Sequence, residues 1–115
     1  MIKSLTIIFP IFNEEIRLKK SLNDVKKFVD ANHDLNLEII FVDDGSSDNS
    51  KLIIQKFIKE NENNIYKFFE ETVNYGKGYA LKIGVNHATN DWVLTSDIDL
   101  SVPLDQINIW LKKEK

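Results

Sequence analysis

Cysteine is absent from this chain. Disulfides, thiolate nucleophiles and zinc–thiolate centres are therefore excluded, and cysteine usage carries no redox information. Long apolar runs are also missing: none approaches the roughly 20 residues needed to span a bilayer. Met1-Ile2-Lys3-Ser4 leads straight into a strand-like segment, without the apolar core and small-residue cleavage site of a signal peptide. There is no basic surplus. The net charge is −3, which argues against a grip on nucleic acid. Neither Gly-x-Gly-x-x-Gly nor the Gly-x-x-x-x-Gly-Lys-Ser/Thr loop occurs. His33 and His87 have no partner at metal-ligand spacing. The expectation is a soluble, cytoplasmic chain.

What is present suits one globular domain over residues 1–115, since 43% of the 115 residues are hydrophobic and 29% charged. Leu5-Thr6-Ile7-Ile8-Phe9 reads as a strand buried on both faces and stopped by Pro10. From Asn13 to Asn32 the period becomes helical, with Leu18, Leu22, Val25 and Val29 on one face and Asn13 as its cap. Residues 37–42 predict a second buried strand, ending in the polar turn Asp43-Asp44-Gly45-Ser46-Ser47-Asp48. Ser47 or Asp48 then caps a helix with the stripe Ile54, Phe57 and Ile58.

Residues 65–69 predict a third strand nearer an edge, and 74–78 a glycine-containing loop. A helix follows over 79–87, with Ala80, Ile83, Gly84 and Val85 available for close packing. Trp92 to Ser96 read as a fourth strand, with Trp92 and Trp110 in the core. Pro103 starts a last helical stretch, where Ile107, Trp110 and Leu111 are expected to leave apolar surface exposed. Strand and helix alternate throughout. The predicted fold class is α/β: a Rossmann-like three-layer α/β/α domain with a mostly parallel sheet. Such sheets bind ligands beyond the carboxyl ends of their strands.

Four polar segments fall at those ends. Asp97-Ile98-Asp99, if extended, puts two carboxylates on one side, where they repel unless a cation lies between them. Mg²⁺ or Mn²⁺ suits such a pair together with phosphate oxygens. The same residues also read as a solvated turn before Pro103. Asp43 and Asp44 can offer a carboxylate to a base N–H or a ribose hydroxyl, whereas turn and cap chemistry accounts for Gly45, Ser47 and Asp48. Lys77, between Gly76 and Gly78, can meet a phosphate beside a helix N-terminus, although a plain loop explains the segment too. Pro10 stiffens the exit of the first strand, and Phe12 can stack on a base.

In this order, Phe9-Pro10-Ile11-Phe12-Asn13-Glu14, Glu38 through Asp48, Asn74-Tyr75-Gly76-Lys77-Gly78-Tyr79-Ala80 and Asp97-Ile98-Asp99 resemble glycosyltransferase family 2, which has the GT-A fold. The resemblance covers nearly the whole chain. It implies a nucleotide-sugar pocket lined by Pro10, Phe12, Glu14, Asp43, Asp44, Lys77 and Asp97, with Asp97 and Asp99 holding Mg²⁺ or Mn²⁺. Lys77 and the run Leu100-Ser101-Val102-Pro103 are similar to the dolichyl- and polyprenyl-phosphate glucosyltransferase branch; the mannosyl branch commonly carries Gln where Ser101 stands. The implied activity is inverting transfer of a hexose, glucose from UDP-glucose rather than mannose from GDP-mannose, to a polyprenyl or dolichyl phosphate. The alternatives are a polysaccharide or other glycan acceptor, and a nucleotide-sugar-binding module without turnover. Family members continue past the segment where Lys115 stands, so the resemblance implies a truncated chain whose catalytic base lies elsewhere. It is compatible with a homo-oligomer and with a peripheral position at a membrane surface.

Overall fold

A computed structural model describes residues 3–100, 103, 104, 106, 107 and 109. Among the described residues, seven bounded elements alternate: β1 (Ser4–Ile11), α1 (Glu15–Ala31), β2 (Asn36–Asp44), α2 (Ser50–Glu60), β3 (Tyr66–Glu71), α3 (Lys77–His87) and β4 (Val93–Thr95). The strands form one sheet in the order β3-β2-β1-β4, and every pairing is parallel. Parallel strands need crossover connections, which the three helices supply.

Alternation along the strands decides which helix covers which face. Ile7, Phe9, Ile39 and Phe41 join Leu18, Leu22, Val25 and Ile54 in the larger core, so α1 and α2 share one face. Ile8, Ile40 and Val42 point the other way and meet Ala80 of α3. The three-layer α/β/α arrangement expected from the sequence is the one observed. Phe9 and Phe41 stack across β1 and β2 at 5.7 Å. Each is fully buried, and burial of a side chain of this size contributes about 1.5–3 kcal/mol. Gly84 lets α3 approach the sheet: a Cβ there would lie 2.4 Å from Ile8 Cγ2. Val85, expected to pack with it, is half exposed because its position turns outward on α3.

Several boundaries differ from the sequence expectation for identifiable reasons. Pro10 does not stop β1, which continues to Ile11 and keeps Pro10 in register with Val42. Thr6 N donates to Trp92 O, and Ile8 O accepts from Ser96 N, so the even residues of β1 address β4. Pro10 comes after that pairing has ended, where its missing N–H costs no ladder bond. Asp43 and Asp44 lie inside β2 rather than in a turn and are almost fully buried. The helix α3 begins at Lys77 rather than Tyr79. Trp92 is half exposed because β4 is an edge strand of three residues. Leu104 and Ile107 are buried in the larger core, which corrects the expectation that Ile107 is exposed; Trp110 and Leu111 lie outside the described residues.

The amino end of the sheet carries a buried polar knot. Glu38 is 3% exposed. Its Oε1 accepts from Thr6 Oγ1 at 2.7 Å and from Thr89 N at 2.9 Å; its Oε2 accepts from Thr89 Oγ1 at 3.1 Å and from the Lys67 ammonium. One carboxylate thus ties β2 to β1, to β3 and to the α3–β4 connection. Burial pushes the Glu38 carboxyl up, but Lys67 and the three threonine donors outweigh it and hold the group below its ordinary value of 4.5. A depressed folded pKa adds stability that is present above the unfolded value and lost as pH falls through the folded one. Glu38→Gln is therefore expected to cost about 1–3 kcal/mol at neutral pH. In urea unfolding across pH, the gap between variant and wild type should narrow below 4.5. A gap that stays constant into strong acid would contradict this role.

Candidate functional site

Asn13 sits where β1 hands over to α1, with a left-handed φ of 51° that asparagine tolerates. It does not cap α1, contrary to expectation. Its Oδ1 instead accepts from Ser47 N at 2.8 Å and from Asp48 N at 3.4 Å, while its own N–H donates to Ser46 Oγ at 2.9 Å. The first N–H groups of α1 are satisfied from the β2–α2 loop: Glu14 N donates to Ser50 Oγ at 2.8 Å and Glu15 N to Asp48 Oδ2 at 3.2 Å. In return, Asn49 N at the start of α2 donates to Glu15 Oε1 at 3.0 Å. Asp48 also accepts from Ser50 N at 2.9 Å, so it supports α2 as expected. Burial raises the Asp48 carboxyl, and the Ser50 and Glu15 bonds more than offset that.

Asp44 fastens the third loop. Its Oδ1 accepts from Tyr75 N at 3.0 Å and its Oδ2 from Gly76 N at 3.1 Å. Gly45 makes the approach sterically feasible: its φ is +74°, and a Cβ would fall 2.6 Å from Asn74 N, a backbone atom that cannot give way. Asp43 points to the opposite face. Its Oδ2 accepts from Ser46 N at 3.0 Å, and its Oδ1 is buried with no partner among the described residues. Lys51, bound to Glu70 at 2.7 Å, has its pKa raised first by that bond and by the Glu70 charge, and more weakly by Asp43.

These ties hold open a cleft of about 410 Å³ at the carboxyl end of the sheet. Pro10, Ile11, Phe12 and Glu14 form one wall, Asn74, Gly76 and Lys77 another, and Asp44 and Asp97 complete it. Lys77 Nζ meets Asp97 Oδ1 at 2.5 Å across the opening. Phe12, 43% exposed, offers a ring to the cleft.

A family model described as Glycosyl transferase family 2 matches residues 6–113. The chain belongs to glycosyl transferase family 2. A dolichyl-phosphate beta-glucosyltransferase of Trichomonas vaginalis is 32% identical over 96% of this chain and 34% of its own length. An undecaprenyl-phosphate 4-deoxy-4-formamido-L-arabinose transferase of Photorhabdus laumondii is 34% identical over 92% of this chain and 32% of its own. Among solved structures, a mannosyltransferase from Pyrobaculum calidifontis, in complex with GDP-Man and Mn²⁺, superposes with a TM-score of 0.70 at 27% identity; the match covers 83% of this chain and 27% of that one. The chain spans about a third of the length of the curated relatives it matches.

Of the residues that the family resemblance singled out, Pro10, Phe12, Glu14, Asp44, Lys77 and Asp97 meet in the one cleft. Asp43 does not line it. Asp99 borders a different cavity of about 740 Å³, beside Arg17, Lys20 and Phe28 of α1. The extended geometry expected for the aspartate pair is replaced by a turn, in which Leu100 N donates to Asp97 O at 3.0 Å and Ile98 is buried between the two acids. Asn74 and Gly76 also wall the cleft, and Asn13 clamps two loops, roles that no local sequence signal marks. The same holds for Glu71, in register with Asp44, whose carboxyl is pushed up by burial first and by the Asp44 charge second.

Of the two expected aspartates, only Asp97 is placed to meet a hard divalent cation in the cleft. Asp97 is a half-exposed carboxylate already facing a cation, and the cleft is otherwise rimmed by acids that would repel an anionic ligand arriving alone. Among the described residues, no group of three or more His, Cys, Asp or Glu could hold a metal ion, so a cation at Asp97 would need phosphate oxygens and water to complete its shell.

Asp44→Asn should loosen the third loop, because an amide nitrogen replaces one of the two oxygens facing N–H groups. Hydrogen exchange at Tyr75 and Gly76 is expected to speed up by about tenfold, in line with the ~1–3 kcal/mol of a buried donor left unpaired. Unchanged exchange at both amides would remove Asp44 from this role.

Proposed function

We propose that this chain is the donor-binding part of a glycosyltransferase that moves glucose from UDP-glucose to a polyprenyl or dolichyl phosphate, with inversion, at the cytoplasmic face of a membrane. The observation that carries the reading is the cleft in which Phe12, Glu14, Asp44, Lys77 and Asp97 converge at the carboxyl end of a parallel sheet. Phe12 would stack on the base. Asp43, which does not line the cleft, would reach a base N–H with its unpartnered buried oxygen only on rearrangement of the turn it holds through Ser46 N. Lys77, in the first turn of α3, would meet the diphosphate together with the N–H groups of that turn. Asp97 would hold Mg²⁺ or Mn²⁺, which supplies positive charge to the departing nucleoside diphosphate; Asp99, which borders the neighbouring cavity, would join it only on opening of the turn around Ile98.

Two considerations support the acceptor more firmly than the sugar. The relatives differ in the sugar that their names print, glucose in one and a formamido-arabinose in the other, while both names carry a polyprenyl-type phosphate. A phosphate acceptor is already an anion at neutral pH, so its oxygen can attack the anomeric carbon with little help from a base. Among the described residues, no helix is long and apolar enough to cross a membrane, so in this reading the donor site works beside the bilayer.

Calorimetry on the folded 115-residue chain tests the proposal. UDP-glucose is expected to bind with Mn²⁺ or Mg²⁺ present and more tightly than GDP-mannose. Asp97→Ala should weaken it at least about tenfold, the scale of a charge-assisted contact, and should remove most of the metal dependence. Absence of nucleotide-sugar binding with either metal would overturn the reading.

A further inference from the structure

Each acid that lines the donor cleft has its own partner. Asp44 is committed to the Tyr75 and Gly76 N–H groups, and Glu14 faces Arg17 at 3.3 Å. Asp97 faces Lys77 at 2.5 Å. Lys77 is the one cation among the described residues lining that cleft. The two side chains come from different elements, Lys77 from the first turn of α3 and Asp97 from the segment after β4. They also close a smaller side cavity of about 190 Å³ with Pro10 and Thr95. Their contact therefore spans the opening from one wall to the other. Both remain half exposed, at 59% and 47%, so the pair can open without unpacking the core.

A divalent cation on Asp97 needs the same carboxylate that the ammonium holds, and two cations at contact distance from one carboxylate repel each other. A diphosphate changes the balance. It gives the ammonium an alternative anion, at a helix N-terminus whose N–H groups and dipole already favour negative charge. We propose that Lys77 is a stand-in counter-ion for Asp97, drawn off by the nucleoside diphosphate so that the carboxylate becomes available to the metal. Metal and nucleotide then bind with positive coupling that passes through Lys77, and each strengthens the other by the same factor. Lys77 acts as a positioning residue: it keeps Asp97 directed into the cleft before the donor arrives and discourages the metal from binding first. This inference rests on the reading of Asp97 as a metal-holding residue.

Titration of the full chain with Mn²⁺, following free Mn²⁺ by electron paramagnetic resonance, separates the possibilities. It is run with and without UDP on wild type, Lys77→Met, Lys77→Arg and Asp97→Asn. Removing a competing, exposed ammonium should let Lys77→Met bind Mn²⁺ alone about two- to fivefold tighter than wild type, while Lys77→Arg stays near wild type. UDP should tighten Mn²⁺ binding by a larger factor in wild type than in Lys77→Met. If Asp97→Asn weakens Mn²⁺ binding but Lys77→Met binds it no better than wild type, the stand-in role is overturned while the metal reading stands. If Asp97→Asn leaves Mn²⁺ binding unchanged, the metal reading fails, and the exchange falls with it.

Discussion

The helices α1 and α2 both begin without a side-chain cap from their own N-cap residue, and each is capped by the other's loop. Ser50 and Asp48 take the first N–H groups of α1, and Glu15 takes that of Asn49. Asn13 adds a strut between the same loops. Unpaired N–H groups at helix starts must find acceptors, and meeting that need across loops rather than within them joins two crossovers into one rim. Asp44 extends the rim to the third loop through Tyr75 and Gly76. The cleft depends on this chain of bonds, because its walls come from segments that the sheet alone would leave as separate loops.

The fold was legible because its strands are unusually plain. Ile7-Ile8-Phe9 and Ile39-Ile40-Phe41 are buried on both faces, and only a sheet covered by helices on both sides provides for that. The alternation of strands and helices through β4 could be read from periodicity, and β3 placed nearer an edge because it is less apolar. What could not be read locally were effects of neighbours. Pro10 stays inside β1 because β4 has already ended. Trp92 is half exposed because it lies just before β4, at the edge of the sheet. Asn13 looks like a cap in any sequence window, yet its acceptor serves a loop 34 residues away.

The same distinction separates the site residues. Phe12, Glu14, Lys77 and Asp97 follow from their places at strand ends, where the topology itself brings them together. The relation of Asp97 to Asp99 does not, because it depends on whether the segment is extended or turned. The turn, with Ile98 buried in the larger core, directs the two acids toward different cavities. Charge is distributed with the same economy. The carboxyl end of the sheet collects Asp43, Asp44, Glu70 and Glu71, and Lys77 is the cation that faces into the cleft. In the proposed reading, an anionic donor would be accepted there best in the company of a cation.

In the proposed reading, the cleft between the first and third loops receives the donor. Amide chemical-shift mapping of the folded chain, with UDP-glucose and Mg²⁺ added, tests it most directly. The largest shifts are expected at Ile11, Phe12, Gly76, Lys77 and Asp97, with the face of α1 around Lys20 and Phe28 unchanged. Shifts centred on Arg17, Lys20 and Phe28, with the cleft residues unmoved, would contradict it.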